Sequence, residues 1–260
     1  ARPFIPPVPG LDGIDYLTSD TVWSLTELPP RMLVVGGGPI GCELAQAFSR
    51  LGSKVMQVDM AARIMPREDE DVSAAVSARF AAQGIEVLTG HRLLKFETVD
   101  GEHFMEAEHQ GETVRVAFDR VLLAIGRKAN TEGFGLEEIG VALTPQGTVE
   151  VNEYLQTNLP NVFACGDVAG PYQFTHMASY QAWFAALNAI AGGFWRSRDT
   201  YSVGAWATFT DPEVGRVGLS EDEAKHRGIA YEVTRYDMDN HDDSLVHGEA
   251  DGIGKIMTVP

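Results

Sequence analysis

Three glycines at GxGxxG spacing, Gly36, Gly38 and Gly41, lie in the stretch GGGPIGCE at 36–43. An apolar run at 32–35 precedes them, and Leu44, Ala45, Phe48 and Leu51 follow at helical spacing. Strand, glycine turn and helix in that order make a site for a diphosphate. Gly36 permits the tight bend, Gly38 lets backbone approach the pyrophosphate, and Gly41 lets the helix lie close to the strand. Gly37, Pro39 and Ile40 complete the loop. The first N–H groups of the helix, with its positive dipole end, then meet the negative charge. A second strand at 54–58 ends in Asp59, which is placed to accept hydrogen bonds from the adenosine ribose and to repel a 2′-phosphate. The expected ligand is therefore NAD. Arg63 and Arg67 follow closely enough to bend towards a phosphate, so NADP stays open.

The elements that must hold these residues read as α/β. Acids at 68–71 open a helix running to 83, where they suit the dipole, and 85–88 is a third strand. Alternating segments at 92–96, 103–108 and 113–118, parted by Asp100-Gly101 and Gln110-Gly111, form an antiparallel ribbon. Residues 120–125 return as a buried strand to a parallel sheet. The proline-rich start, 1–9, is an extended connector, and 18–23 and 25–28 read as turns. Further on, 149–151 and 162–165 read as short strands, 177–190 as an apolar-rich helix, and 206–209, 213–218, 231–236 and 253–259 as strands, with 221–226 helical.

Composition narrows the partners. The chain has 260 residues, with 20 Lys plus Arg against 37 Asp plus Glu. That acidity argues against nucleic acid and against an anionic membrane. No apolar run reaches the ~18 residues of a membrane span, and the start has no signal-peptide pattern. The expected location is cytoplasmic. Cys42 and Cys165 are the only cysteines, fit no zinc or CxxC spacing, and read as small core residues, so no metal site is expected. His176 reads as a packing residue, and His241 and His247 as surface residues.

Four ordered motifs together resemble one family, the class I pyridine nucleotide-disulfide oxidoreductases, which include dihydrolipoamide dehydrogenase, glutathione reductase and mercuric reductase. They are GGGPIGCE with Asp59, AIGRKAN at 124–130, TNLPNVFACGDV at 157–168, and FTDPEVGRVGL at 209–219. The resemblance implies a Rossmann-like NAD(P)-binding domain at 30–127 with parallel sheet and ribbon. It also implies a connector from an FAD domain at 1–29, the second segment of that FAD domain at 128–200, and the first part of an α+β interface domain at 201–260. It implies FAD as a second cofactor. Gly166 and Asp167 would meet its ribityl or phosphate-proximal hydroxyls, and the helix start from Thr175 to Ala178 would face the flavin pyrimidine ring. Ala124, Gly126 and Arg127 would border the NAD cleft. Glu43 would approach the nicotinamide as a catalytic residue.

The departures carry as much information. Family members begin with an FAD-binding GxGxxG and a CxxxxC redox pair, and end with a His/Glu acid–base pair. None of these is in the chain, which reads as an internal fragment expected to bind nucleotide without turnover and to expose apolar surface, including Trp206 and Phe209. The intact parent would be a homodimer passing hydride from nicotinamide through FAD to a small disulfide or a metal-ion acceptor. An NADH oxidase or transhydrogenase-type flavoprotein and a non-catalytic NAD-binding module are the alternatives.

Overall fold

The computed structural model describes residues 1–192, 194–198, 204–240, 242, 246 and 252–259; His241 and His247 lie outside them. The elements in chain order are β1 (Arg2–Pro3), β2 (Tyr16–Thr18), β3 (Arg31–Val35), α1 (Pro39–Leu51), β4 (Lys54–Val58), α2 (Glu70–Ala82) and β5 (Glu86–Leu88). A ribbon follows, β6 (Arg92–Val99), β7 (Glu102–His109) and β8 (Glu112–Phe118), then β9 (Arg120–Leu123) and β10 (Arg127–Lys128). The chain continues with α3 (Thr175–Ala191), β11 (Ala205–Thr208), β12 (Val214–Val217), α4 (Glu221–His226), β13 (Glu232–Asp237) and β14 (Ile253–Thr258). It divides into two compact units.

The larger unit comprises 5–125, 208–214 and 219–260. Its centre is a parallel sheet in the order β2-β9-β3-β4-β5. Alternation along β3 explains why its sequence is apolar throughout. Met32 and Val34 pack with Cys42 and Ala45 of α1 and Val76 and Phe80 of α2. Leu33 and Val35 turn the other way, onto Phe96, Met105 and Phe118 of the ribbon. Both faces of the sheet are covered, so neither needs polar side chains. The fold is α/β with a parallel sheet and antiparallel strands, as the sequence implied. Helix α1 starts with Pro39 in its first turn, where the missing N–H costs nothing, and stops at left-handed Gly52. Leu51 departs from the expected stripe: it ends α1 at 68% exposed.

Strand β2 was not expected, since 18–23 reads as a turn. Tyr16 to Thr18 instead extend the sheet, with Tyr16 opposite Val121. Helix α2 begins at Glu70 rather than 68; Glu70 and Asp71 stand in its first turn, as expected, and the preceding Glu68 and Asp69 are buried.

The smaller unit comprises 1–4, 126–207 and 215–218. Here β1 pairs antiparallel with β10, and the Phe4 N–H donates to the Gly126 carbonyl at 2.9 Å. The strands expected at 149–151 and 162–165 are absent; only isolated bridges, Leu143 with Val149 and Gln156 with Phe163, occur there. Trp206 is buried, contrary to expectation, because Tyr172 and Phe174 stack on it at 5.0 and 5.6 Å and the Arg216 guanidinium lies 4.7 Å from its ring. Phe209, in the larger unit, is 61% exposed, as expected. Among the described residues, no helix is long and apolar enough to cross a membrane.

Candidate functional site

In the larger unit, the glycine loop joins the end of β3 to α1. Gly36 has φ 121°, and a Cβ there would lie 2.3 Å from the Ala124 carbonyl oxygen, so only glycine lets β3 turn against β9. A Cβ on Gly41 would lie 2.0 Å from the Gly36 oxygen; glycine is what lets α1 approach the loop. Gly38 differs. A Cβ built on it meets nothing within 4 Å, so its backbone borders open space.

That open space adjoins the start of α1, whose cap has no side-chain acceptor. Cys42 N–H finds Gly38 O at 3.0 Å, but the preceding Ile40 and Gly41 N–H groups have no carbonyl one turn below. Backbone donors, a dipole end and room for a ligand coincide here. These residues fit a dinucleotide diphosphate.

Asp59 stands beside the loop and is already engaged. Its Oδ2 accepts from the Gly37 N–H, and its Oδ1 from the Ala61 N–H at 2.6 Å. A carboxylate has further lone pairs for ribose hydroxyls. Arg63 does not turn towards it; its Nη2 donates to the Glu68 carbonyl at 3.1 Å and to Asp222 at 3.0 Å.

Glu43, one helical turn into α1, is half-buried. Its Oε1 accepts from the Phe209 N–H at 2.8 Å, and burial pushes its carboxyl above the usual range against the pull of that N–H. Three residues on, buried Gln46 grips the backbone of Asp211 from both sides, accepting from its N–H at 2.7 Å and donating to its carbonyl at 2.8 Å. The Asp211 carboxylate also pairs with Arg50. Cys42 is fully buried, and desolvation raises its thiol to about 12. It is inert packing, as expected. Cys165 is only partly buried, a correction to its reading as core.

In the smaller unit, Gly166 and Asp167 form a 3₁₀ turn near the start of α3. The Gly166 N–H donates to Gln181 Oε1 at 2.6 Å, Gln181 Nε2 donates to the Gly170 carbonyl at 3.0 Å, and a Cβ on Gly166 would lie 3.1 Å from Ala178. Asp167 is 3.5 Å from Arg127 Nε. Thr175 opens α3 with no side-chain cap, which leaves first-turn N–H groups able to face an electron-rich ring edge. These residues fit a flavin. His176 is exposed rather than packed.

The structure thus gathers Gly36, Gly37, Gly38, Pro39, Ile40, Gly41, Asp59 and Ala124 in one unit, with Glu43 a turn away. Gly126, Arg127, Gly166, Asp167, Thr175 and Ala178 belong to the other. Sequence reasoning missed Gln46, Gln57 and Gln181, three buried amides that hold backbone. The only signal was a polar residue inside an apolar pattern.

Comparison with known proteins gives a consistent result. The model of the pyridine nucleotide-disulphide oxidoreductase family matches residues 1–182, and that of the family's dimerisation domain matches 205–260. A mercuric reductase of Staphylococcus aureus is 34% identical over 257 residues, 99% of this chain and 47% of the relative. A dihydrolipoyl dehydrogenase of Bacillus subtilis is 36% identical over 259 residues, 99% of this chain and 54% of the relative. The HOCl-induced flavoprotein disulfide reductase RclA from Escherichia coli, solved as a Cu(II) complex, superposes with a TM-score of 0.87 at 27% identity, covering 100% of this chain and 58% of that one. The chain spans about half the length of the curated relatives it matches. With the glycine loop, the motif at 157–168 and these likenesses in hand, the chain belongs to the pyridine nucleotide-disulphide oxidoreductase family.

Proposed function

We propose that this chain supplies the NAD-binding part, and part of the FAD-binding part, of a flavin-dependent NAD(P)H:disulfide-type oxidoreductase. The observation that carries the reading is the open backbone at Gly38 and the uncapped start of α1 beside Asp59. In this reading the N–H groups of Ile40 and Gly41 hold the diphosphate, and Asp59 accepts the ribose hydroxyls while repelling a 2′-phosphate. Arg63, committed to Asp222, leaves NAD favoured over NADP. Glu43 orients the nicotinamide. In the other unit Asp167 accepts flavin-side hydroxyls, and the N–H groups from Thr175 onward stabilise negative charge on the ring. FAD, when bound, supplies the two-electron relay between nicotinamide and acceptor.

The segments 1–29, 30–127, 128–200 and 201–260 take the roles of connector, NAD domain, FAD-domain segment and interface-domain segment. The whole protein acts as a homodimer in the cytoplasm on a small disulfide or a metal ion. The names of the mercuric reductase and dihydrolipoyl dehydrogenase relatives support those acceptor classes.

Calorimetric titration with NADH, NADPH and FAD tests the reading. NADH is expected to bind more tightly than NADPH, and Asp59→Ala to weaken NADH by roughly tenfold, the scale of a hydrogen bond to a charged group. A folded chain that binds neither nicotinamide nucleotide refutes it.

A further inference from the structure

Gln57 is the least expected residue near the glycine loop. It lies in β4 between Met56 and Val58 and is 0% exposed. Its Nε2 donates to the Gly36 carbonyl at 2.9 Å and approaches Cys42 Sγ at 3.5 Å. Its Oε1 has no hydrogen-bond partner among the described residues. Reversing the amide does not help, because Oε1 would then face the Gly36 oxygen, acceptor against acceptor. A valine or leucine would bring no unpaired acceptor of its own, but it would leave the Gly36 carbonyl without its donor. The cost in stability falls on a side chain aimed at the loop.

The Gly36 carbonyl and the Gly37 N–H belong to one planar peptide. Gln57 binds the carbonyl and Asp59 binds the N–H. The two side chains are two residues apart, so the pleat sends both to the same side of the chain. The flanking groups are also tied. Gly36 N–H donates to the Val58 carbonyl at 2.8 Å, and the Gly37 carbonyl accepts from Met65 N–H at 2.6 Å. Everything up to Gly37 is therefore fixed from β4 and the loop after it, while Gly38 borders open space.

We propose that Gln57 is a positioning residue for the dinucleotide: with Asp59 it clamps the Gly36–Gly37 peptide plane, which aims the backbone from Gly38 into α1 at the diphosphate. The proposal rests on the nucleotide reading above and adds to it a residue that the glycine motif does not contain. It also gives Asp59 a second task, holding the loop as well as facing the ribose.

The test compares Gln57→Leu with the parent chain by calorimetry, using ADP and adenosine as probes, alongside thermal melting. Gln57→Leu is expected to weaken ADP about fivefold, the scale of one neutral hydrogen bond. Adenosine affinity should be unchanged and the melting temperature little changed, since losing the unpaired Oε1 offsets leaving the Gly36 carbonyl without its donor. Unchanged ADP affinity overturns the proposal. So does an equal loss for ADP and adenosine with a lowered melting temperature, which marks a merely structural role. Hydrogen exchange of the Gly37 amide in glycine-labelled protein is the readout that does not depend on ligand. Exchange should quicken in Gln57→Leu, and unaltered exchange overturns the clamp. A parent chain that binds neither ADP nor NADH refutes the nucleotide reading instead, and the clamp is then decided on Gly37 exchange alone.

Discussion

The place of Asp59 beside the glycine loop was legible from sequence, because an acid follows a second strand there, and its role at a ribose is the reading proposed above. Gln57, two residues earlier, was not legible, because a glutamine in an apolar strand matches no motif and shows its role only through the carbonyl it meets. Glu43 falls between the two. Its position was legible, but its bond to Phe209 joins residues far apart in the chain. That bond sits with a desolvated carboxyl, so Glu43 holds its proton more tightly in the folded protein than in the unfolded chain. Ionising it therefore subtracts stability as pH rises from the ordinary carboxylate value through the raised one. Glu43→Gln, which keeps an acceptor for Phe209, is expected to melt higher than the parent above that window and at the same temperature below it. A difference in melting temperature that does not vary with pH would sink the assignment.

At the scale of elements, the capped helices and alternating strands followed from the sequence. Local chemistry sets them: Pro39 and Gly52 bound α1, and Ser220 with Glu223 forms a capping box on α4. Strand β2 escaped because three residues carry no period and its partner is β9, remote in sequence. Residues 149–151 and 162–165 misled because apolar side chains there make bridges and turns, not ladders.

Of the acid run at 68–71, Glu70 and Asp71 stand in the first turn of α2, as the dipole reading expects, and Asp69 and Asp71 also pair with Lys255 of β14. The ammonium lies 2.5 Å from Asp69 and 3.0 Å from both Asp71 and Glu221, and Asp69 Oδ1 also accepts from the Glu221 N–H at the start of α4. Burial alone would raise the Asp69 carboxyl; Lys255 and that N–H outweigh it and hold the group below the usual range. Its contribution is thus full above the ordinary carboxylate value and lost as pH falls through the depressed one. Lys255→Met should destabilise the chain by about 3 kcal/mol, the low end for removing one partner of a buried ion pair. It should also flatten the loss of stability towards acid. Urea unfolding of both proteins at about pH 7 and about pH 2, on either side of the window below the ordinary carboxylate value, checks both effects.

For the molecule as a whole, two compact units make a single all-or-none transition the wrong expectation. The residues proposed for NADH lie in the larger unit and those for the flavin in the smaller one. NADH at about 100 times its dissociation constant should stabilise its own unit by about 2.7 kcal/mol and leave the other transition in place. Scanning calorimetry with and without NADH reads this directly; two transitions shifted equally would contradict it. The family was legible at this scale because four short motifs appear in order. The division of the chain was not, since each unit is assembled from three separate stretches.

Sheet order carries a consequence for synthesis. Strand β9 lies between β2 and β3 yet is the last of the five to be made, after the whole ribbon. A nascent chain that has exposed the glycine motif and even β5 holds three adjacent strands, with β2 stranded and Gly36 lacking the Ala124 backbone it turns against. The ribbon, built from hairpins between neighbouring residues, is able to form first, whereas the long-range β2–β9 pairing closes last. On the ribosome, competence to hold a nucleotide would arrive as a late event, when Ala124 clears the exit tunnel.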